Sequence, residues 1–281
     1  MKSMWYLLRP QQWLKNLLLL FSPFLGGTLL QIDSFAALVL PLLSFSAGAS
    51  AVYIINDLMD IKQDIHHPLK RLRPLPAGVI SKMTALGIAL FLAMLALLCG
   101  FFVSGAFLTF LLIYLIISVA YSWQLKTVPI VELFCVVSGF LLRLSAGGVA
   151  FNVPISDWLF LSVFLLALYL IAGKRFGEIR NVTGEPPELI RPVLASYPEG
   201  FLLGCMYLSG AAVLMTYTMY VLVHPMLVYT VPLCCFGLLA YLLRVLSGKG
   251  GDPTRALLRD PFIFLVGAIW TLLVGWSIYI R

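Results

Sequence analysis

Charge is scarce in this sequence. Only 11% of the 281 residues are Asp, Glu, Lys or Arg, whereas 61% are apolar. A soluble domain of this length cannot hide so much apolar surface, so a lipid-facing chain is expected instead. Histidine is rarer still, at three residues. The five cysteines (Cys99, Cys135, Cys205, Cys234 and Cys235) are odd in number, lie inside apolar runs and keep no metal-type spacing with the histidines. They read as small polarizable packing residues. No Ser/His/Asp set, no His/Cys metal site and no Gly-rich P-loop is present, which leaves hydrolase, zinc and P-loop chemistry without support.

What fills the chain is a succession of apolar runs. Nine are long enough to cross a bilayer, over roughly 14–31, 35–56, 82–103, 105–121, 129–150, 156–174, 200–222, 225–246 and 260–280. The reading is therefore all-α: a polytopic membrane bundle of nine helices forming one integral-membrane domain over 1–281. No cleavable leader is expected, because the apolar stretch after Lys2 and Arg9 leads straight into further spans. Span two holds Ser44, Ser46, Ala47, Gly48, Ala49, Ser50 and Ala51, small residues that let helices approach closely in lipid.

Long charged segments separate some spans, chiefly 57–82, 174–199 and 247–259. With alternate loops on opposite sides, 17 of the 19 Lys and Arg fall on one side, all but Arg143 and Arg281. The positive-inside rule makes that side cytoplasmic, with the N-terminus and the polar site, in a multi-pass protein of the inner (plasma) membrane. The net charge of +7 is thereby explained without nucleic acid; the lipid bilayer is the expected partner.

The sharpest cluster closes span two: Asn56-Asp57-Leu58-Met59-Asp60-Ile61-Lys62-Gln63-Asp64. At about 100° per residue, Asp57, Asp60 and Asp64 share one face if the helix continues. Such a cluster is either a solvated helix end or a set of hard oxygen ligands for Mg²⁺, which takes one or two carboxylates plus substrate phosphates. Lys70, Arg71 and Arg73 follow at once, with Pro74, Pro76 and Gly78 shaping the loop. Acids then cations suit a Mg²⁺–polyphosphate, although the positive-inside rule alone also places cations there.

Three further patches lie at span ends: Arg9 to Asn16 with Lys15, Tyr121 to Lys126, and Gly173-Lys174-Arg175-Phe176-Gly177-Glu178. Lys174 and Glu178 are four residues apart, so a helix-end ion pair is a second reading of that patch. Arg143 sits inside span five, about three turns beyond Glu132 and too far to pair with it. An arginine at that depth faces the protein interior or a cavity, and is either a functional group or part of a buried structural pair.

Six strings occur in one order over residues 9–178: Arg9-Pro-x-Gln-Trp-x-Lys15-Asn16, Asn56 to Asp64, His67-Pro-x-Lys70-Arg71-x-Arg73-Pro74, Tyr121-Ser-x-x-Leu-Lys126, Leu142-Arg143-x-x-Ala-Gly-Gly148 and Ala172-Gly-Lys174-Arg175-x-x-Glu178. Together they resemble the UbiA superfamily of intramembrane prenyltransferases, and within it the decaprenyl-phosphate phosphoribosyltransferase branch; the last three spans match only in hydropathy. The resemblance implies transfer of 5-phosphoribose from 5-phosphoribosyl diphosphate to a polyprenyl phosphate, with pyrophosphate released, on the way to arabinose donors for the cell envelope. It further implies Mg²⁺ on Asn56, Asp57, Asp60 and Asp64. Asp57, Asp60, Asp64, Arg143 and Glu178 would be catalytic, and Lys15, Asn56, Lys70, Arg71, Arg73, Tyr121, Lys126, Lys174 and Arg175 would bind substrate. Glu132 departs from the branch, which tends to have Asp there.

Span six bears on the choice within the superfamily. Its aromatic prenyltransferases usually carry a second Asp-rich motif there, where this chain has Lys174, Arg175 and Glu178. Two phosphorylated substrates bring more negative charge than one prenyl diphosphate and a neutral ring, and cations suit that load. An aromatic prenyltransferase is the first alternative and an anionic-solute transporter the second, although the polar residues gather at one membrane face rather than at the midplane.

The orientation is open to direct test. In a background with the native cysteines replaced, cysteines placed near Gly105 and Asn152 are expected to react with an impermeant thiol reagent outside intact cells. Cysteines within 57–82 or 174–199 are expected to stay unlabelled. Outside labelling of the 57–82 segment reverses the topology.

Overall fold

The computed structural model describes residues 2–32, 34–65, 70–180, 191–223 and 225–280. Every element among them is helical. Among the described residues, eight helices are long and apolar enough to cross a membrane. The chain divides into two compact units, Met1–Pro23 with Thr28–Val153, and Phe24–Gly27 with Pro154–Arg281; each is taken by itself.

In the first unit, α1 (Lys2–Leu8) leads into a 3-10 segment, Pro10–Leu20; α2 (Phe21–Leu25) follows, its last two residues already counted with the second unit. The expected first span is thus not one long α-helix, and where nine spans were expected the described residues give eight, one of which (Leu227–Leu246) opens in a 3-10 segment. A 3-10 helix rises about 2.0 Å per residue, so Pro10–Leu20 covers about 22 Å, and α2 adds about 7.5 Å. That approaches the ~30 Å of a hydrocarbon core with fewer residues than an α-helix needs. With three residues per turn, the side chains fall into rows at intervals of three. Trp13, Asn16 and Leu19 form the row facing protein, with Asn16 and Leu19 almost fully buried, whereas Gln11, Leu14 and Leu17 form an exposed row.

The helix that receives this row is α3 (Phe35–Asp64), 30 residues long. At about 1.5 Å per residue it measures about 45 Å, well beyond a hydrocarbon core. The small residues seen in the sequence are its buried stripe: Ser44, Ala47, Gly48, Ala49, Ser50 and Ala51 are all buried. On one side, Trp13 Nε1 donates to Ser50 Oγ at 2.9 Å and Asn16 Nδ2 to Ser46 Oγ at 2.9 Å. On the other, Ser44 Oγ donates to the Ala96 carbonyl at 2.8 Å in α4 (Lys82–Val103). In lipid such contacts replace the hydrophobic effect as the glue between helices. Phe45 of α3 packs on Phe107 and Tyr114 of α5 (Gly105–Trp123), with centroids 5.6 and 5.4 Å apart. The unit closes with α6 (Val131–Ala150), whose Gly147 lies against the 3-10 segment: a Cβ there would sit 2.1 Å from the Leu19 carbonyl oxygen.

The second unit holds α7 (Asp157–Arg180), α8 (Phe201–Leu222), α9 (Val231–Leu246), the short α10 (Pro253–Arg259) and α11 (Pro261–Tyr279). Its polar contacts are mostly tyrosines tying helices together. Tyr217 meets Thr230 at 2.5 Å and accepts from Trp270 Nε1 at 2.7 Å, and Tyr279 donates to the Phe24 carbonyl at 2.9 Å. Like α3, α7 runs past its apolar stretch, and so carries Lys174, Arg175 and Glu178 on regular helix.

Gly147→Ala is expected to cost about 1–3 kcal/mol, as overpacking against a fixed backbone does, and to lower the melting temperature in detergent. Gly87→Ala, at an exposed helical site with nothing within 4 Å of the added Cβ, is expected to leave it unchanged or raise it. Equal melting of the Gly147 variant and the parent contradicts the close approach.

Candidate active site

The extension of α3 decides where the acids go. Asp57 and Asp64 lie two turns apart on one face and are 3% and 2% exposed, whereas Asp60 is turned aside and half-buried. Buried carboxylates this close repel one another unless cations stand beside them. The first unit supplies those cations itself. Arg73 Nη1 bridges the pair, 3.1 Å from Asp57 Oδ1 and 2.7 Å from Asp64 Oδ2. Arg9 Nη2 donates to the same Asp57 oxygen at 2.5 Å, and Lys70 Nζ is 3.8 Å from Asp64 Oδ1. Asp60 takes a separate set: Lys126 Nζ makes a short ion pair with Oδ1, and Asn56 Nδ2 donates to Oδ2 at 3.0 Å. The three acids therefore divide two and one. Lys126 comes from the 3-10 turn after α5. Tyr121 lies half-buried near the end of α5, and Arg71 is exposed beside Lys70. His66, His67 and Pro68 lie outside the described residues.

Arg9 belongs to this cluster, although the sequence reading left it out of the site residues. Its backbone is left-handed, φ 51° and ψ 55°, a conformation that costs a non-glycine residue about 1–2 kcal/mol. The ion pair with Asp57 and the Tyr53 ring 5.2 Å from its guanidinium carbon offset that strain. The sequence signal was its place in the Arg9-Pro10 string, but the contact spans 48 residues.

Arg143, read from the sequence as a functional group or part of a buried structural pair, lies inside α6. It is 4% exposed, and each of its three nitrogens donates within the protein: Nε to Asn16 Oδ1 at 2.7 Å, Nη1 to the Gly139 carbonyl at 2.7 Å and Nη2 to the Tyr114 hydroxyl at 3.0 Å. The ring of Tyr114 lies 4.5 Å from its guanidinium carbon. The charge thus clamps the 3-10 segment, α5 and α6. Lys15, next to Asn16, has its ammonium 6.0 Å from the Phe140 ring. Glu132 is fully buried at the start of α6.

The cations of α7 form a second cluster within their own unit. Arg175 is 2% exposed, and its Nη1 donates to both Glu178 oxygens, at 3.1 and 2.9 Å. Arg191 Nε is 3.7 Å from Glu178 Oε2. Glu178 therefore holds Arg175 rather than Lys174, the partner its four-residue spacing suggested. Lys174 instead lies 3.2 Å from Asp252 Oδ2, a residue absent from the expected set.

The metal question turns on the donor set. Among the described residues no three His, Cys, Asp or Glu side chains form a metal-holding group. Mg²⁺ does not need one, since it binds through one or two carboxylates and completes its shell with water and phosphate oxygens. Asp57 and Asp64 already share one cationic nitrogen, and all donors present are hard oxygens. The residues fit the ion.

The chain belongs to the UbiA prenyltransferase family, whose family model matches residues 20–266. It is 32% identical over 282 residues, 95% of this chain and 91% of the relative, to the decaprenyl-phosphate phosphoribosyltransferase of Mycobacterium tuberculosis. The same-named protein of Corynebacterium glutamicum is 30% identical over 287 residues, 97% of this chain and 86% of that one. A solved UbiA homolog from Archaeoglobus fulgidus, bound to GPP and Mg²⁺, superposes with a TM-score of 0.75 at 21% identity, covering 99% of this chain and 100% of that one. The all-α, multi-pass UbiA-like fold read from the sequence is borne out.

Arg73→Gln removes the nitrogen shared by Asp57 and Asp64, and is expected to cost about 1–3 kcal/mol in metal-free buffer, as lost charge-assisted bonds do. Added Mg²⁺ is expected to raise the melting temperature more in the variant than in the parent, since cation and guanidinium compete for the same oxygens. Identical Mg²⁺ responses would count against Asp57 and Asp64 as its ligands.

Proposed function

We propose that this protein transfers 5-phosphoribose from 5-phosphoribosyl diphosphate to a polyprenyl phosphate, releasing pyrophosphate. The observation that carries the reading is the make-up of the two charged helix ends. The end of α3 bears Asp57, Asp60 and Asp64 with cations brought to them; the end of α7, where aromatic prenyltransferases of the superfamily carry acids, bears Lys174 and Arg175 with the single carboxylate of Glu178. The named relatives support the same reaction. Orientation with the charged loops in the cytoplasm, in the inner membrane, rests on the distribution of Lys and Arg.

The chemistry asks little of a general base. A phosphate monoester is ionised at pH 7, so one of its oxygens can attack the anomeric carbon as the bond to diphosphate breaks. Mg²⁺, held by Asp57 and Asp64 with Asn56 and Asp60 beside them, would neutralise charge building on the leaving pyrophosphate. Lys70, Arg71 and Arg73 hold phosphates of the sugar substrate, Arg73 by exchanging carboxylate for phosphate oxygens. Arg9 keeps Asp57 in place. Lys126 aligns Asp60 and offers its remaining donors to phosphate. Tyr121, in the last turn of α5, lies at the same end of that helix. Lys174 and Arg175 take further phosphate charge, with Glu178 fixing the guanidinium. Arg143 acts at a distance, holding Asn16 and with it Lys15. Rate enhancement then comes from positioning and from fixed charge around the developing oxocarbenium and pyrophosphate.

An apolar groove of about 300 Å³ opens between the 3-10 segment, α3 and α4, lined by Trp13, Val39, Leu42, Leu43, Leu92 and Leu95 among others. It suits part of a prenyl chain.

Purified protein given labelled 5-phosphoribosyl diphosphate and polyprenyl phosphate is expected to form the ribosyl lipid with Mg²⁺ and to lose turnover in EDTA. Asp57→Ala and Asp60→Ala are expected to lose most activity while remaining folded in detergent. A prenyl diphosphate with an aromatic acid is expected to yield no product. If the aromatic product forms and the ribosyl lipid does not, the aromatic prenyltransferase reading takes its place.

A further inference from the structure

The segment Gly248-Lys249-Gly250-Gly251-Asp252 carried no weight in the sequence, yet it is built onto α7. Gly173 and Gly177, one turn apart, receive it backbone to backbone. A Cβ on Gly251 would lie 2.2 Å from the Gly173 carbonyl oxygen and 2.8 Å from the Lys174 Cα, and one on Gly177 would lie 2.8 Å from the Gly251 nitrogen. Gly248 and Gly250 turn the chain with φ of 73° and 84°, conformations open to glycine without strain. The Tyr241 hydroxyl, on a side chain 3% exposed, lies 2.6 Å from the Gly251 carbonyl and 2.9 Å from that of Leu170, tying the loop to α7.

All of this fixes one carboxylate. Asp252 Oδ1 accepts from the Arg255 backbone N–H at 3.0 Å, capping α10, and Oδ2 lies 3.2 Å from Lys174 Nζ. A helix-end ion pair for Lys174 was available within α7, from Glu178 four residues on. The structure instead gives Glu178 to Arg175 and brings a second carboxylate to Lys174 from 78 residues further along the chain. Lysine has a long, freely rotating stem, and a partner on a rigid loop holds its ammonium in one place before any ligand arrives. The Lys174 side chain remains 30% exposed, so the ammonium can still be reached.

We propose that Asp252 is a positioning residue for Lys174, delivered by the glycine loop and acting on phosphate binding through that lysine alone. The inference rests on the reading above, in which Lys174 meets a substrate phosphate. Asp252→Asn is the informative change, since asparagine is a good N-cap of nearly the same size and loses only the charge. Asp252→Ser, which also keeps a capping oxygen, replaces it if the Asn variant melts early.

The test is a double-mutant cycle on full-length protein in detergent, with KM and kcat measured for 5-phosphoribosyl diphosphate and for polyprenyl phosphate. Lys174→Ala is expected to raise one KM ten- to hundred-fold, which identifies the substrate. Asp252→Asn is expected to raise the same KM about five- to twenty-fold, with kcat within about twofold, and to add nothing in the Lys174→Ala background, because coupled residues are not additive. If Lys174→Ala raises a KM and Asp252→Asn leaves it unchanged, lowers it, or adds its full effect in the double variant, Lys174 keeps its role and the inference is overturned. If Lys174→Ala alters neither KM, the phosphate reading of Lys174 falls and this inference falls with it.

Discussion

Asp57, Asp60 and Asp64 occupy the last turns of α3, where the helix dipole presents its negative end and acidic side chains are least welcome. Two of the three are also buried. The cost is met by cations drawn from separate stretches: Arg9 ahead of the 3-10 segment, Lys70 and Arg73 from the loop beyond α3, Lys126 from the turn after α5. This demand for counter-charge accounts for the course of those stretches, each of which ends with a cation against α3. It also makes the cluster responsive, because any ligand that alters the charge there changes the company these side chains keep.

Arg143 shows the same economy of charge deeper in the unit. A guanidinium at that depth is tolerated because Asn16, the Gly139 carbonyl and Tyr114 accept from it in a fixed fan, and Tyr114 also offers the face of its ring. The charge of Arg143 is thus met wholly by buried neighbours, while the cations around the α3 acids, Arg9, Lys70, Arg73 and Lys126, stay partly exposed.

Much of this was legible in the residues. The apolar runs gave the helices, the small-residue stripe in α3 gave its packing face, and the six ordered strings pointed to both charged helix ends. What could not be read was pairing across distance. Nothing local says that Arg9 meets Asp57, or that Arg73 serves two acids at once. The four-residue spacing of Lys174 and Glu178 suggested a partnership that the structure gives to Arg175, because Asp252 competes for Lys174 from another element. Residues 10–20 deceived for a different reason. Their leucines fit an α-helical span by composition, whereas the polar members that bind the neighbours recur every three residues.

That interval of three has a consequence for how the segment can vary. One inserted or deleted residue in a 3-10 helix rotates everything beyond it by about 120°. Such a change ahead of Trp13 would carry Trp13, Asn16 and Leu19 off their row together, unseating the contacts to Ser50, Ser46 and Arg143 in a single step, and one further along would split the row. Substitutions on the exposed row of Gln11, Leu14 and Leu17 disturb none of these. The stretch is accordingly free in spelling on its outer row and fixed in length, so aligned relatives should drift at those three positions while carrying no gap between Arg9 and Leu20.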